Sequence, residues 1–216
     1  MNHGKSFVNR VEAGKALGGR LLDLELTKPV VLALARGGVP VAAEIARTLH
    51  APLDLVLVRK IGLPYEPELA VAAVVDGGEA ETVVNEDVAS LTGMSRTMID
   101  EMAKKELAEI ERRRSIYLEG RAREKLEGRD AIVVDDGIAT GASIRAAIQA
   151  VKRKAPRRLI LAVPVAPRET IETLRAVVDD VICLEIPDPF YAIGLSYQDF
   201  HQIGDDEVTR ILRDVG

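Results

Sequence analysis

The chain has 216 residues, 47% of them hydrophobic and 29% charged, enough for one sizeable core and short for two independent ones. Its 34 acidic residues outnumber 29 basic ones, for a net charge of −5, and such a surface repels phosphate, which excludes a generic nucleic-acid-coating role. No stretch reaches the roughly 18 apolar residues that cross a bilayer, and the N-terminus lacks the apolar core and cleavage site of a secretory leader, so a soluble, cytosolic protein with no nucleic-acid or membrane partner is expected.

The first 28 residues are poorly determined, because Gly14, Gly18 and Gly19 interrupt a weak helical pattern. Apolar runs rich in Val, Ile and Leu then recur at Pro29 to Ala35, Leu53 to Val58, Ala131 to Asp135, Leu159 to Val163 and Val181 to Ile186, and they read as buried strands. Helical segments at Val39 to Leu49, Ser143 to Arg153 and Arg168 to Val177 alternate with them. That order predicts strand-helix-strand units around a parallel sheet. The middle breaks the alternation. Leu69 to Val75 and Ala80 to Val84 flank Asp76-Gly77-Gly78, a turn signal that predicts an antiparallel hairpin. Ser95 to Leu118 follows as a long amphipathic helix, with Ile99, Ala103, Leu107, Ile110 and Tyr117 at helical spacing. Its Arg112-Arg113-Arg114 run lies beside Glu109 and Glu111 and reads as a solvated face.

Cys183 is the sole cysteine, so no disulfide forms within the chain and the residue reads as a small buried hydrophobe. His3, His50 and His201 are scattered, which gives neither zinc spacing nor a serine-type triad.

The segment Ile132-Val133-Val134-Asp135-Asp136-Gly137-Ile138-Ala139-Thr140-Gly141-Ala142-Ser143 carries the most chemistry. Two carboxylates at the end of a buried strand are costly unless something polar faces them. Sugar hydroxyls or a bound cation would satisfy both. From Ala139 to Ser143 the residues are small, two carry hydroxyls, and the first N–H groups of the next helix point outward, which makes an anion cradle. Acids this close to the cradle suit a ligand with vicinal hydroxyls about one ribose away from a phosphate. A dinucleotide-binding oxidoreductase would instead want Gly-x-Gly-x-x-Gly after the first strand, and Arg36 to Val41 does not provide it.

Val133 to Ser143 closely resembles the 5-phosphoribosyl 1-diphosphate (PRPP) motif of the type I phosphoribosyltransferases. The resemblance implies an α/β fold, a parallel sheet flanked by helices, as a single domain over 1–216, with a hairpin lid and long-helix insertion at about 62–128 and a hood at about 187–216. It implies that Asp135 and Asp136 hold the ribose hydroxyls and that Ala139, Thr140, Gly141, Ala142 and Ser143 hold the 5-phosphate. Where some purine-salvage members carry a third acid that contacts the base, this chain has Ala139, which excludes base activation by a carboxylate there.

Four further segments take roles, from their own residues or by the same resemblance. Ala35-Arg36-Gly37-Gly38-Val39-Pro40 corresponds to the loop that grips diphosphate, often through a strained peptide bond, so Arg36, Gly37 and Gly38 inherit that role. The first and third major strands are expected to flank the topological switch point, with the two glycine loops facing each other. Arg59 and Lys60, at the end of the second strand, supply cations to the diphosphate. Gly62 to Glu68 resembles the family's mobile loop, a lid that would exclude water. Pro187 to Phe200 holds four of the seven aromatic residues. There Phe190, Tyr191 or Tyr197 would stack on an acceptor if the segment is the hood; the competing reading is a small satellite core. Its Pro-Phe-x-Ala-x-Gly and Tyr-x-Asp-Phe pattern is similar to the tail of a bacterial group of predicted phosphoribosyltransferases. That group's motifs do not settle the acceptor.

The implied reaction transfers the 5-phosphoribosyl group of PRPP to a nitrogen acceptor, a nucleobase or related heterocycle, and releases diphosphate. Asp135, Asp136, Arg36 and Lys60 are the expected catalytic residues. Mg²⁺ is the expected cofactor, reaching Asp135 and Asp136 indirectly through ligand or water. PRPP and a small-molecule acceptor are the expected partners, with homo-oligomerisation left open. The rival reading is a non-catalytic PRPP-binding regulatory protein.

Overall fold

The computed structural model describes residues 6–63, 65–76, 80–118 and 120–215. Its strands are β1 (Val30–Leu34), β2 (Leu53–Leu63), β3 (Glu66–Asp76), β4 (Ala80–Val84), β5 (Asp130–Val134), β6 (Arg158–Val165) and β7 (Asp180–Glu185). They form one sheet in the order β4-β3-β2-β1-β5-β6-β7. From β2 across to β7 all neighbours are parallel, while β3 and β4 add an antiparallel wing. The expected α/β class and all five major strands are present.

The central strands β1, β5 and β6 are buried on both faces, with alternate residues pointing opposite ways, whereas β7, expected to be buried, is a half-buried edge strand. Val31, Ala33, Ile132 and Val134 join a core with α1 (Arg10–Leu22), α2 (Gly38–Leu49), α4 (Arg96–Leu118) and α7 (Asp205–Val215). Val30, Leu32, Leu34 and Val133 join a second core under α5 (Ala142–Lys152) and α6 (Arg168–Arg175). A short α3 (Glu86–Thr92) follows β4. Cys183 packs against the second core, and burial pushes its thiol up to about 11.

Two regions depart from the expectation. The N-terminal glycines do not break a helix, and two of them, Gly14 and Gly18, let α1 lie close on α2. A Cβ at Gly18 would meet Thr48 Oγ1 at 2.8 Å, and one at Gly14 would meet the Glu44 Cβ at 2.9 Å. β2 does not stop at Val58. It continues through Arg59 and Lys60 to Leu63, paired with β3 as Arg59↔Val74 and Lys60↔Ala73. The segment expected as a lid is therefore the end of a β2–β3 hairpin, with Gly62 and Leu63 closing one strand and Glu66 opening the next. Pro64 lies outside the described residues. The β3–β4 hairpin matches its expectation, although Gly77 and Gly78 of its turn also lie outside them.

After β7 the chain crosses the carboxyl edge of the sheet and forms a 3₁₀ turn at Ile193–Ser196. Tyr197 is fully buried with Phe7, Ala13 and Val165, and Phe190, Ile193 and Phe200 pack around them. The N-terminal segment holds this cluster down, as Phe7 N–H donates to Ser196 O at 2.9 Å and Gln198 N–H donates to Phe7 O at 2.8 Å.

Candidate phosphosugar site

β1 leads through α2 to β2 on one side, whereas β5 lies against its other side and leads through α5 to β6. Loops leaving β1 and β5 at their carboxyl ends therefore diverge and leave a crevice, the switch point where ligands bind in open α/β sheets. The glycine turn after β1 and the acidic loop after β5 meet there. A Cβ at Gly38 would lie 2.7 Å from Val134 O, and one at Gly37 would lie 2.7 Å from the Asp136 Cγ. Only glycine admits that approach. The Ala35–Arg36 peptide is cis.

Asp135, Asp136 and Gly137 to Ile144, with Lys60 and Ile193, line a cleft of about 210 Å³. Its floor is the loop into α5. Gly141 sits at φ 78° and caps that helix with no side-chain hydrogen bond, so the N–H groups at the helix start are free for an anion. Neighbouring strands and helices pin the loop. Ile138 N–H donates to Val165 O at 2.9 Å, Thr170 Oγ1 donates to Ala139 O at 2.9 Å, and the buried Tyr197 hydroxyl donates to Asp136 O at 2.6 Å.

A second chamber of about 510 Å³ shares Asp135, Asp136 and Ile193 with the first and adds Arg10, Arg36, Gly37, Phe200, His201, Gln202 and Ile203. The two acids stand at the junction. Burial, reinforced by the charge of Asp136, pushes the Asp135 carboxyl well up. Burial also raises Asp136, against the opposing pull of Arg10. Asp136 N–H donates to Asp135 Oδ1 at 2.9 Å, and Arg10 Nε donates to Asp136 Oδ2 at 2.7 Å.

The structure brings Arg36, Gly37, Gly38, Lys60, Asp135, Asp136 and Ala139 to Ser143 to one edge. It separates Arg59 from them. Successive strand residues point to opposite faces, so Lys60 lines the cleft while Arg59 turns to α4 and pairs with Glu106. Arg59 thus points away from the cleft beside which the expectation placed it. The expectation that Tyr197 stacks on an acceptor is corrected: its ring is stacked on Phe200 at 4.9 Å between centroids and tilted against Phe7 at 5.4 Å, which is the satellite-core reading. Neither Phe190 nor Tyr191 is among the residues lining the two chambers; Ile193, Phe200 and Gln202 line them instead.

Three partners escaped the sequence reading. Arg10 holds Asp136. Asp205 at the start of α7 stands 3.4 Å from Arg36 Nη1 and accepts from the Tyr117 hydroxyl at 2.5 Å, which holds its carboxyl below the usual range. Glu106 holds Arg59. Lone charges on amphipathic helices carry no local signal of such contacts.

Comparison with known proteins agrees with this architecture. The family described as "Phosphoribosyl transferase domain" matches residues 10–199. Proteins of two Mycobacterium tuberculosis strains, each provisionally named a phosphoribosyl transferase, are 43% identical over 208 residues, covering 96% of this chain and 46% of theirs. The chain thus spans about half the length of the curated relatives it matches. The crystal structure of the Thermus thermophilus protein TT1426 is 41% identical, with a TM-score of 0.83 over 96% of this chain and 98% of that one.

Proposed function

Since the chain belongs to the type I phosphoribosyltransferase family, we propose that it transfers the 5-phosphoribosyl group of PRPP to a nitrogen acceptor, a nucleobase or related heterocycle, and releases diphosphate. The observation that carries this reading is the meeting of two adjacent acids, Asp136 buried and Asp135 half-buried, with a helix-start anion cradle in one cleft, opposite the Gly37-Gly38 turn. The 5-phosphate takes the N–H groups at the start of α5 and the hydroxyls of Thr140 and Ser143. Asp135, beside it, takes the ribose hydroxyls. The glycine turn, Arg36 and Lys60 face the diphosphate, and the acceptor enters the chamber bounded by Ile193, Phe200 and Gln202.

As the acceptor nitrogen bonds to C1, the bond from C1 to the diphosphate oxygen breaks and its electron pair leaves with diphosphate, and the proton of the acceptor N–H passes to the departing diphosphate or to water. Positive charge gathers on the sugar meanwhile. The carboxylates of Asp135 and Asp136 stabilise that charge, and Arg36 and Lys60 stabilise the charge on the leaving group. Among the described residues no group of three or more His, Cys, Asp and Glu side chains could cage a metal. Asp135 together with the arginine-bound Asp136 would hold a magnesium ion, a hard cation that takes oxygen ligands. Such an ion would neutralise diphosphate charge.

One observation favours the alternative, a non-catalytic PRPP-binding regulatory protein: Asp136 and Arg36 already have protein counter-charges. Incubation with PRPP, Mg²⁺ and a panel of bases, with diphosphate release as the readout, separates the two. Release with one base supports transfer; PRPP binding with no release under any base supports the regulator. In calorimetry Asp135→Asn weakens PRPP at least tenfold, about 1.4 kcal/mol, with the fold intact. A wild-type protein that neither binds PRPP nor releases diphosphate ends both readings.

A further inference from the structure

We propose that the cavity between α5 and the β3–β4 wing is a second ligand site, one that takes a nucleoside monophosphate and opposes PRPP through Lys60. The opposition rests on the function proposed above; the binding itself does not.

The cavity holds about 420 Å³, against about 210 Å³ for the phosphosugar cleft, and lies within the usual range of small-molecule sites. Its walls are made of small side chains. Ala70, Ala72 and Ala73 stand on β3, and Ala142 and Ala146, one helical turn apart, stand on α5. Where a helix lies over a sheet, large side chains normally fill the gap to native density. Alanine on both walls leaves a slot instead, of a kind that a flat ring fills. Val83, paired with Ala73 across the β3–β4 ladder, adds to the apolar wall.

The rim is polar. Asn85 caps α3 through Oδ1, which accepts from Val88 N–H at 3.4 Å, and its amide N–H groups are left over. Among the described residues the side chains of Glu86 and Gln149, on the same rim, have no hydrogen-bond partner. Together the three offer donors and acceptors to the edge of a heterocycle. The cations sit where the cavity meets the phosphosugar cleft. Lys60, Thr140 and Ala142 line both spaces. Arg145 lies against the cradle loop, its Nε 3.7 Å from where a Cβ on Gly141 would be. In a chain of net charge −5 the arginines Arg10, Arg36 and Arg59 all carry acids. Lys60 carries none among the described residues, and Arg145 donates only to the Thr173 hydroxyl, at 3.1 Å. Two cations without counter-charges at one end of a slot suit a phosphate there. A flat body with a hydrogen-bonding edge and one phosphate is a nucleoside monophosphate. Lys60 has a single charge to give. When the diphosphate of PRPP takes it, the nucleotide loses that partner, so the two ligands weaken each other by the same factor in either direction. Ribose 5-phosphate has no diphosphate and leaves Lys60 to the nucleotide.

The test is calorimetry on the full chain with adenosine, guanosine, cytidine and uridine 5-monophosphates. At least one binds, and its affinity stays within about twofold when ribose 5-phosphate saturates the phosphosugar cleft, whereas PRPP with Mg²⁺ weakens it about tenfold. Binding by none of the nucleotides overturns the proposal. So does displacement by ribose 5-phosphate, which would put the nucleotide in the phosphosugar cleft, and undiminished affinity beside PRPP overturns the opposition. Val83→Phe, which fills the slot from a strand outside that cleft, abolishes nucleotide binding and leaves ribose 5-phosphate affinity unchanged. Arg145→Gln lowers nucleotide affinity about tenfold. Unchanged nucleotide affinity in either folded variant overturns the proposal; should neither fold, the competition in the wild type decides. A wild type that binds neither PRPP nor ribose 5-phosphate rejects the proposed function instead, and leaves the nucleotide titrations of the two variants to judge the site.

Discussion

Asp135 shows at the scale of one side chain what the site costs the fold. Its carboxyl is raised by burial and then by the charge of Asp136, so the folded protein keeps that proton to higher pH than the unfolded chain does. Such a group favours folding while protonated, and the benefit is lost as pH rises through the folded value. At pH 7 Asp135→Asn is therefore expected to raise the melting temperature while it weakens PRPP, each kcal/mol being worth about 2–4 °C in a chain of this size. Melting curves at pH 7 and pH 4 check this, with the gain shrinking at the lower pH; a lower melting temperature at pH 7 refutes it. Asp135 and Asp136 were legible in the sequence because strand, acids and cradle are contiguous. Their neighbours were not. Arg10 lies 126 residues from Asp136, Asp205 lies 169 from Arg36, and Glu106 lies 47 from Arg59, and no local pattern encodes which surface charges the fold will press together.

At the scale of the element, β2 is the instructive case. Its apolar run ends at Val58, which is why the sequence reads as a strand end there, but the backbone ladder with β3 needs no apolar side chains and carries the strand on to Leu63. Period-two alternation then decides which cation reaches the cleft. Lys60→Ala is expected to weaken PRPP about tenfold, roughly 1.4 kcal/mol, whereas Arg59→Ala leaves it within about twofold; calorimetry on the pair checks both, and a matching loss would mean that Arg59 leaves Glu106 for the ligand. The hood was legible as a concentration of aromatics but not in its use of them. Whether a ring faces a ligand or a core depends on what covers it, and Phe7, far away in the chain, covers Tyr197.

Across the whole molecule the ionisable groups act in opposite directions. Burial pushes Asp130 up, but the double hydrogen bond from Arg157 and the Thr27 N–H outweigh it and hold its carboxyl low. Asp205 is also held low, by Tyr117. These two support the fold once ionised, and their support is lost as pH falls through their folded values. Asp135 and Asp136 are raised, and their support disappears as pH climbs. His201, raised by Asp199 and Glu207, stabilises while protonated and stops doing so above its folded value. The unliganded protein should accordingly melt highest between the carboxylate and histidine ranges, about pH 4 to 6.5. Calorimetric scans from pH 3 to 9 test this, and a melting temperature that climbs steadily to pH 8 contradicts it. The pairing of Arg36 with Asp205 has one more implication, for biosynthesis. During translation the sheet can be laid down while the turn after its first strand still waits for an anion made 169 residues later, so the nascent chain passes through a stage in which Arg36 lacks its Asp205 partner, and α7 must emerge before that pair can form.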